Sequence, residues 1–101
     1  MDLLQAVAEP RRRLIVGLVW SGEREAGQIH RAMGEITFGA VSQHLRVLRE
    51  AGAVRVRRDG RRRLYRANRV LLRPLLPHLQ KMWAGALGNL KALAEDEEKK
   101  R

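Results

Sequence analysis

The 101-residue chain contains no cysteine. That absence excludes disulfides, thiol redox chemistry and every thiolate-ligated metal site in one step. Long apolar runs are missing as well: none approaches the roughly 18 residues that a membrane-spanning helix requires, so no span is expected. The opening stretch, MDLLQAVAEPRRR, carries an acid early and its arginines after the apolar part. A secretory signal has the reverse order, and a cytoplasmic protein is the expectation. Acidic side chains are in short supply, with 11 Asp and Glu against 21 Lys and Arg, a formal net charge of +10. Such a balance says nothing about fold but favours a polyanionic partner, nucleic acid or an acidic membrane surface. The arginines are unevenly spread: Arg55, Arg57, Arg58, Arg61, Arg62, Arg63 and Arg66 crowd one short stretch.

Catalytic machinery is lacking too. Ser42 and His44 are two residues apart, which points them away from each other on a helix. The chain offers no Gly-rich phosphate loop, no carboxylate pair in apolar surroundings and no metal-ligand spacing. His30, His44 and His78 are isolated from one another in sequence, and a lone histidine is more often a packing or hydrogen-bonding residue than a ligand. No enzyme, no cofactor and no metal are therefore expected.

What is present suffices for one domain, which at this length buries roughly 60–65% of the surface its unfolded chain exposes. Burying more against a second copy would help. The central stretch is Thr37 to Gly52, TFGAVSQHLRVLREAG. Thr37 suits a helix N-cap, and Gly52 suits the left-handed position just past a helix end. Between them Val41, Leu45 and Leu48 recur at helical spacing and form one buried stripe. Gly39, Ser42, Gln43 and Arg46 share the opposite face, small, polar and basic, as a helix for the major groove should be.

The remaining elements frame it. Leu3, Leu4, Val7 and Ala8 mark one side of a short helix ended by Glu9-Pro10. Leu14, Ile15, Leu18 and Val19 give a second, with Pro10 at its first position. Arg11, Arg12 and Arg13 in its first turn are either a solvated basic turn or a phosphate contact. A third helix, about Glu25 to Met33, stops at Gly34, and Gly34-Glu35-Ile36 turns into the central helix. Two short helices joined by such a turn make a helix-turn-helix.

Residues 53–67 then alternate as strands around Asp59-Gly60. A two-residue loop at Asp59-Gly60 sets Val54 opposite Tyr65. A three-residue loop, Arg58-Asp59-Gly60, sets Val54 opposite Leu64 and gathers Val54, Val56 and Leu64 on one face, which is the preferred register. So many like charges on adjacent strands repel, and a phosphate backbone receiving them explains the density better than edge protection. Pro74 and Pro77 place the start of a last helix, which should run to about Ala94. Leu72, Leu76, Leu79, Trp83, Ala86, Leu90 and Leu93 step along it at a 3.5 repeat, the seam of a helix packed on a partner helix. A second copy of the chain is the economical partner.

In this order the features resemble the ArsR/SmtB-type winged-helix transcriptional regulators. The resemblance is carried by AEPRRRLI at residues 8–15, AVSQHLRVLREAG at 40–52 and RRDGRR at 57–62, and it covers about residues 3–93. It implies a mostly α fold with a β-hairpin wing, a single winged helix-turn-helix domain over 1–101 and dimerisation through terminal helices. The recognition helix is expected at about 37–51, the wing at about 53–67 and the dimerisation helix at about 74–94. The implied function is a homodimer on an inverted-repeat operator in double-stranded DNA, most often a repressor.

The ending LQKMWAGALGNL is similar to the metal-independent branch, so direct metal sensing is not expected; any signal would come through a separate signal-sensing protein or a small apolar ligand, or equally from something internal. Family members often carry Arg-Pro where this chain has Phe38 and Gly39. Phe38 then either contacts a thymine methyl or packs inward.

The expected base-reading group is Ser42 and Gln43, with Thr37, Phe38, Gly39 and His44 beside them. Arg46 and the wing residues Arg57, Arg58, Arg61, Arg62 and Arg63 should hold phosphates or enter the minor groove. Leu3, Leu4, Val7, Leu76, Leu79, Trp83, Leu87 and Leu90 form the expected dimer interface. The alternative is an interaction module, a winged helix that binds another protein and holds DNA only weakly.

Overall fold

The structure is a computed structural model that describes residues 1–86. Two short helices open it, α1 (Leu3–Ala8) and α2 (Pro10–Leu18). Asp2 caps α1 by accepting from the Gln5 amide at 2.8 Å, and the Gln5 side chain returns the bond to the Asp2 amide at 3.2 Å. Glu9 caps α2 through the Arg12 amide at 2.9 Å, with Pro10 where its missing N–H costs nothing. Ala6 and Val7 are the buried residues of α1, whereas Leu4 is 60% exposed, so its apolar side differs from the expected Leu3, Leu4, Val7 and Ala8. In α2 it is Val16, not Leu14, that joins Ile15, Leu18 and Val19 in the core.

The helix-turn-helix follows as α3 (Ala26–Met33) and α4 (Phe38–Glu50). The Glu25 amide donates to the Gln28 side chain at 2.8 Å, so α3 starts cleanly without a Ser or Thr. Val41, Leu45 and Leu48 of α4 are fully buried and face Ile15, Val16 and Ile29 in one continuous core.

The hairpin comprises β1 (Val54–Asp59) and β2 (Arg62–Ala67), paired antiparallel with Val54 opposite Ala67, Val56 opposite Tyr65 and Arg57 opposite Leu64. Neither expected register is adopted. The loop is Gly60-Arg61, and Gly60 has φ +64 while no non-glycine residue has positive φ. A hairpin with glycine at the first loop position and an ordinary residue at the second has the type II′ pattern, whose twist matches the strands. Asp59 is thereby left in β1 opposite Arg62, an opposite-charge pair, and Val54, Val56, Tyr65 and Ala67 share the inner face. Leu64 lies on the outer face, yet is only 6% exposed. Arg24 extends the sheet by one residue, exchanging both backbone hydrogen bonds with Tyr65 at 2.9 and 3.0 Å.

After the wing come a single turn, α5 (Arg69–Leu72), a 3₁₀ turn at Arg73–Leu75, and α6 (Leu76–Ala86). Pro74 falls in the 3₁₀ turn and Pro77 in the first turn of α6, where neither interrupts a helix ladder. The expected end near Ala94 lies outside the described residues, as do Leu87, Leu90 and Leu93. The seam is spent differently from expectation. Leu72 and Leu79 are buried in the protomer's own core, and α6 packs on α2. A short helix beneath it, not only a long partner, satisfies the stripe. No helix among the described residues is long and apolar enough to cross a membrane.

Candidate nucleic-acid interface

The candidate surface begins at the turn before α4. Thr37 accepts the Ala40 amide through Oγ1 at 3.1 Å, which ends one of the unpaired N–H groups of the first turn. Thr37→Ala is expected to lower folding stability by about 1 kcal/mol, with Thr37→Ser close to wild type; denaturant midpoints of the two variants check this. Behind the turn, His30 donates Nε2–H to the Ile36 carbonyl at 2.7 Å. A carbonyl can only accept, so the proton sits on Nε2. Gly39, Ser42, Gln43 and Arg46 are all exposed, in line with their common face. Arg46 also reaches Glu50 one turn on, at 3.1 Å, a solvated pair that leaves it free to exchange partners.

His44 is placed elsewhere. Its side chain is 18% exposed and its Nδ1 lies 3.9 Å from the Glu9 carboxylate, on the side of α4 that meets α2. Burial opposes ionisation of Glu9, but the Arg12 and Arg11 amides, with His44 and Arg12 nearby, outweigh it and hold the carboxyl below its usual range. His44 thus lies half-buried beside the cap residue of α2, and a base contact by it is not what this geometry favours.

The wing divides its arginines into two sets. Arg57 forks onto Glu23 through Nε at 2.5 Å and a terminal nitrogen at 2.8 Å, and Arg62 donates to Glu25. Both acids flank Arg24, whose bridge to Tyr65 aims them at the outer face of the sheet. The Glu23–Arg57 pair crosses β2 beside Leu64, which is buried there. The Arg57 hydrogen bond lowers the pKa of Glu23, and Glu23 in return raises that of Arg57. Arg58, Arg61 and Arg63, at and around the tip, have no ion-pair partner among the described residues. The wing therefore presents three uncommitted cations at and around its tip, with two more held back and Arg55 and Arg66 exposed opposite each other at its base.

Of the first-turn arginines of α2, Arg11 is exposed, while Arg12 and Arg13 are partly committed within the chain. Their side chains donate to the Ala6 and Ala8 carbonyls at 2.6 and 2.5 Å, closing the C-terminal end of α1. One positioning residue escaped sequence reasoning altogether. The Asn68 side chain donates to the Gly52 carbonyl at 3.1 Å and accepts from the Leu71 amide at 3.3 Å, while its own amide donates to Ala53 at 2.9 Å. It fixes the end of α4, the wing exit and α5 to one another. An Asn just before an apolar run is a cap signal, which is the trace it leaves in the sequence.

The expected interface residues are split. Val7 and Leu79 are 1% exposed within the protomer. Trp83 lies against Gly17, meets Trp20 edge-on with centroids 5.8 Å apart, and donates its indole N–H to Arg13 at 3.1 Å. Leu3 and Leu76 are half-buried and Leu4 is open.

Comparison with known proteins agrees with this geometry. Residues 9–56 match the model of the bacterial regulatory protein family arsR. The chain is 36% identical over 93 residues to the HTH-type transcriptional regulator Rv2034 of Mycobacterium tuberculosis, covering 92% of this chain and 86% of that protein. Among solved structures, a possible transcriptional regulator for arsenical resistance is 40% identical, covers 95% of this chain and 96% of its own, and superposes with a TM-score of 0.67. The homodimeric winged helix-turn-helix DNA-binding domain of Mb0332 from Mycobacterium bovis is 30% identical, with coverages of 84% and 78% and a TM-score of 0.69. A capped helix with an exposed polar face, a cationic hairpin beside it and these relatives describe a regulator of transcription, not an enzyme. The chain belongs to the arsR family of bacterial regulatory proteins.

Proposed function

We propose that the protein is a cytoplasmic homodimer that represses transcription by occupying an inverted-repeat operator. The observation that carries the reading is the exposed Gly39, Ser42, Gln43 and Arg46 face of α4, together with the uncommitted Arg58, Arg61 and Arg63 of the wing that packs on α4 through β1. The helix face would enter the major groove, and the wing cations would take the flanking phosphates or minor groove.

Dimerisation is supported by the homodimeric Mb0332 domain and by the apolar Leu4, Leu76 and the leucines beyond residue 86. A two-fold axis would set the recognition helices roughly 34–36 Å apart, one turn of the duplex. Repression follows from occupancy alone. Control by a bound metal is disfavoured, because cysteine is absent and both His30 and His44 have intramolecular partners. A separate signal-sensing protein or a small apolar ligand is the remaining route.

The test is selection of bound duplexes from a random pool at about 150 mM salt, where purely electrostatic binding is already thinned. Enrichment of an inverted repeat is the expected result. Bulk binding without enrichment would turn the reading toward an interaction module with a protein partner. On the enriched site, Gln43→Ala is expected to forfeit about 1–3 kcal/mol of discrimination at one base pair per half-site. Identical base preferences for wild type and Gln43→Ala would remove Gln43 from the reading set.

A further inference from the structure

Phe38 is the first residue of α4, and its side chain is 50% exposed. A half-exposed phenylalanine on a surface otherwise small, polar and basic leaves apolar area in water, an unfavourable arrangement unless something covers it. The ring is held in place. His30 meets it edge-on, with centroids 5.7 Å apart and planes at 89°, and His30 is itself anchored to the Ile36 carbonyl at 2.7 Å. The backbone of the turn thus orients the imidazole, and the imidazole orients the phenyl ring before any partner arrives. Such preorganisation reduces the ordering cost of binding.

The chemistry of the groove limits what the ring can meet. Phosphate oxygens are anionic and strongly hydrated, and the exposed edges of the bases are hydrogen-bonding groups. The apolar exception in the major groove is the C5-methyl of thymine. We propose that Phe38, oriented by His30, reads a thymine methyl group in each half-site, with His30 as a positioning residue. The proposal rests on the reading that α4 enters the major groove.

The experiment takes the duplex enriched from the random pool and replaces each thymine in turn by uracil, which removes the methyl and keeps every hydrogen-bonding group. Wild type should lose about fourfold in affinity at one position per half-site, the worth of one buried carbon, and about fifteenfold when both half-sites are changed. Phe38→Ala should bind the thymine and uracil duplexes equally, and Phe38→Leu should keep part of the ratio. His30→Ala should lower the ratio in the wild type and leave it unchanged in the Phe38→Ala background, with the melting temperature a few degrees lower for the lost bond to Ile36. Insensitivity to uracil at every position would overturn the proposal and leave the operator reading standing, since the site itself would still be selected. A ratio unchanged in Phe38→Ala would overturn it equally, by showing that another side chain reads the methyl. Absence of any enriched duplex would sink the operator reading and this inference with it.

Discussion

Raising salt from 50 to 200 mM should weaken DNA binding through the wing by about 10³-fold in the wild type and about 10⁵-fold in Glu23→Gln/Glu25→Gln. The two figures come from counting cations. Arg58, Arg61 and Arg63, at and around the tip, have no ion-pair partner among the described residues, which gives six tip contacts in a dimer; Arg55 and Arg66, at the base of the hairpin, are left out of the count. Releasing Arg57 from Glu23 and Arg62 from Glu25 adds four more. Each phosphate neutralised contributes about 0.9 to the slope of log affinity against log salt. The slopes should therefore differ by about 3.6, whatever else touches phosphate. At 50 mM salt the variant should also bind more tightly, and to all sequences alike, because phosphate contacts carry no base information. Equal slopes would mean that the acids release both arginines on binding, so that the intramolecular pairs are exchanged for phosphates in the wild type too.

Trp83→Ala is expected to lower folding stability by about 3 kcal/mol, at the low end for removing a large aromatic from a packed site because Trp83 is only partly buried. Its ring lies against Gly17, where an added methyl would come within 3.4 Å of the indole nitrogen, and its N–H is spent on the Arg13 carbonyl. Those contacts are within one protomer, so the loss should not depend on protein concentration. Trp20 remains as the fluorescent probe of unfolding. A stability change that appears only on dilution would instead place Trp83 between protomers, because an interface residue acts through the association equilibrium.

Periodicity made the helices legible. Val41, Leu45 and Leu48 on one face of α4, with Thr37 before it and Gly52 after it, are local signals, and the structure realises them locally. The existence of the hairpin was legible for the same reason, but its register was not. Arginines crowd both strands, so sliding one strand exchanges like for like, and only the positive φ of Gly60 selects the loop. Contacts distant in sequence were hidden. Glu23 meets Arg57 across 34 residues and Trp83 meets Arg13 across 70, and no spacing rule reaches so far. The 3.5 repeat of the last helix showed that a partner lay along it, without distinguishing α2 of the same chain from a second copy. For the candidate surface, residue types on α4 pointed to exposure, whereas the acidic grip on Arg57 and Arg62 needed the Arg24–Tyr65 bridge to become visible.

Asn68 has a mechanical consequence. It binds the end of α4, the wing exit and the start of α5, and Leu71 closes over Gly52 so tightly that a methyl there would meet it at 3.0 Å. These contacts tie α4 directly to the segment that leads to α6. In the proposed dimer each protomer is then a stiff lever, and a signal at the far end reaches DNA as a change of angle between two levers. With the reading heads roughly 17 Å from the axis, half the spacing of one helical turn, a tilt of about 10° moves each by about 3 Å. That displacement is perpendicular to the duplex axis and about the length of one hydrogen bond. A small rotation at the dimer axis is thus enough to lift both heads off the base edges.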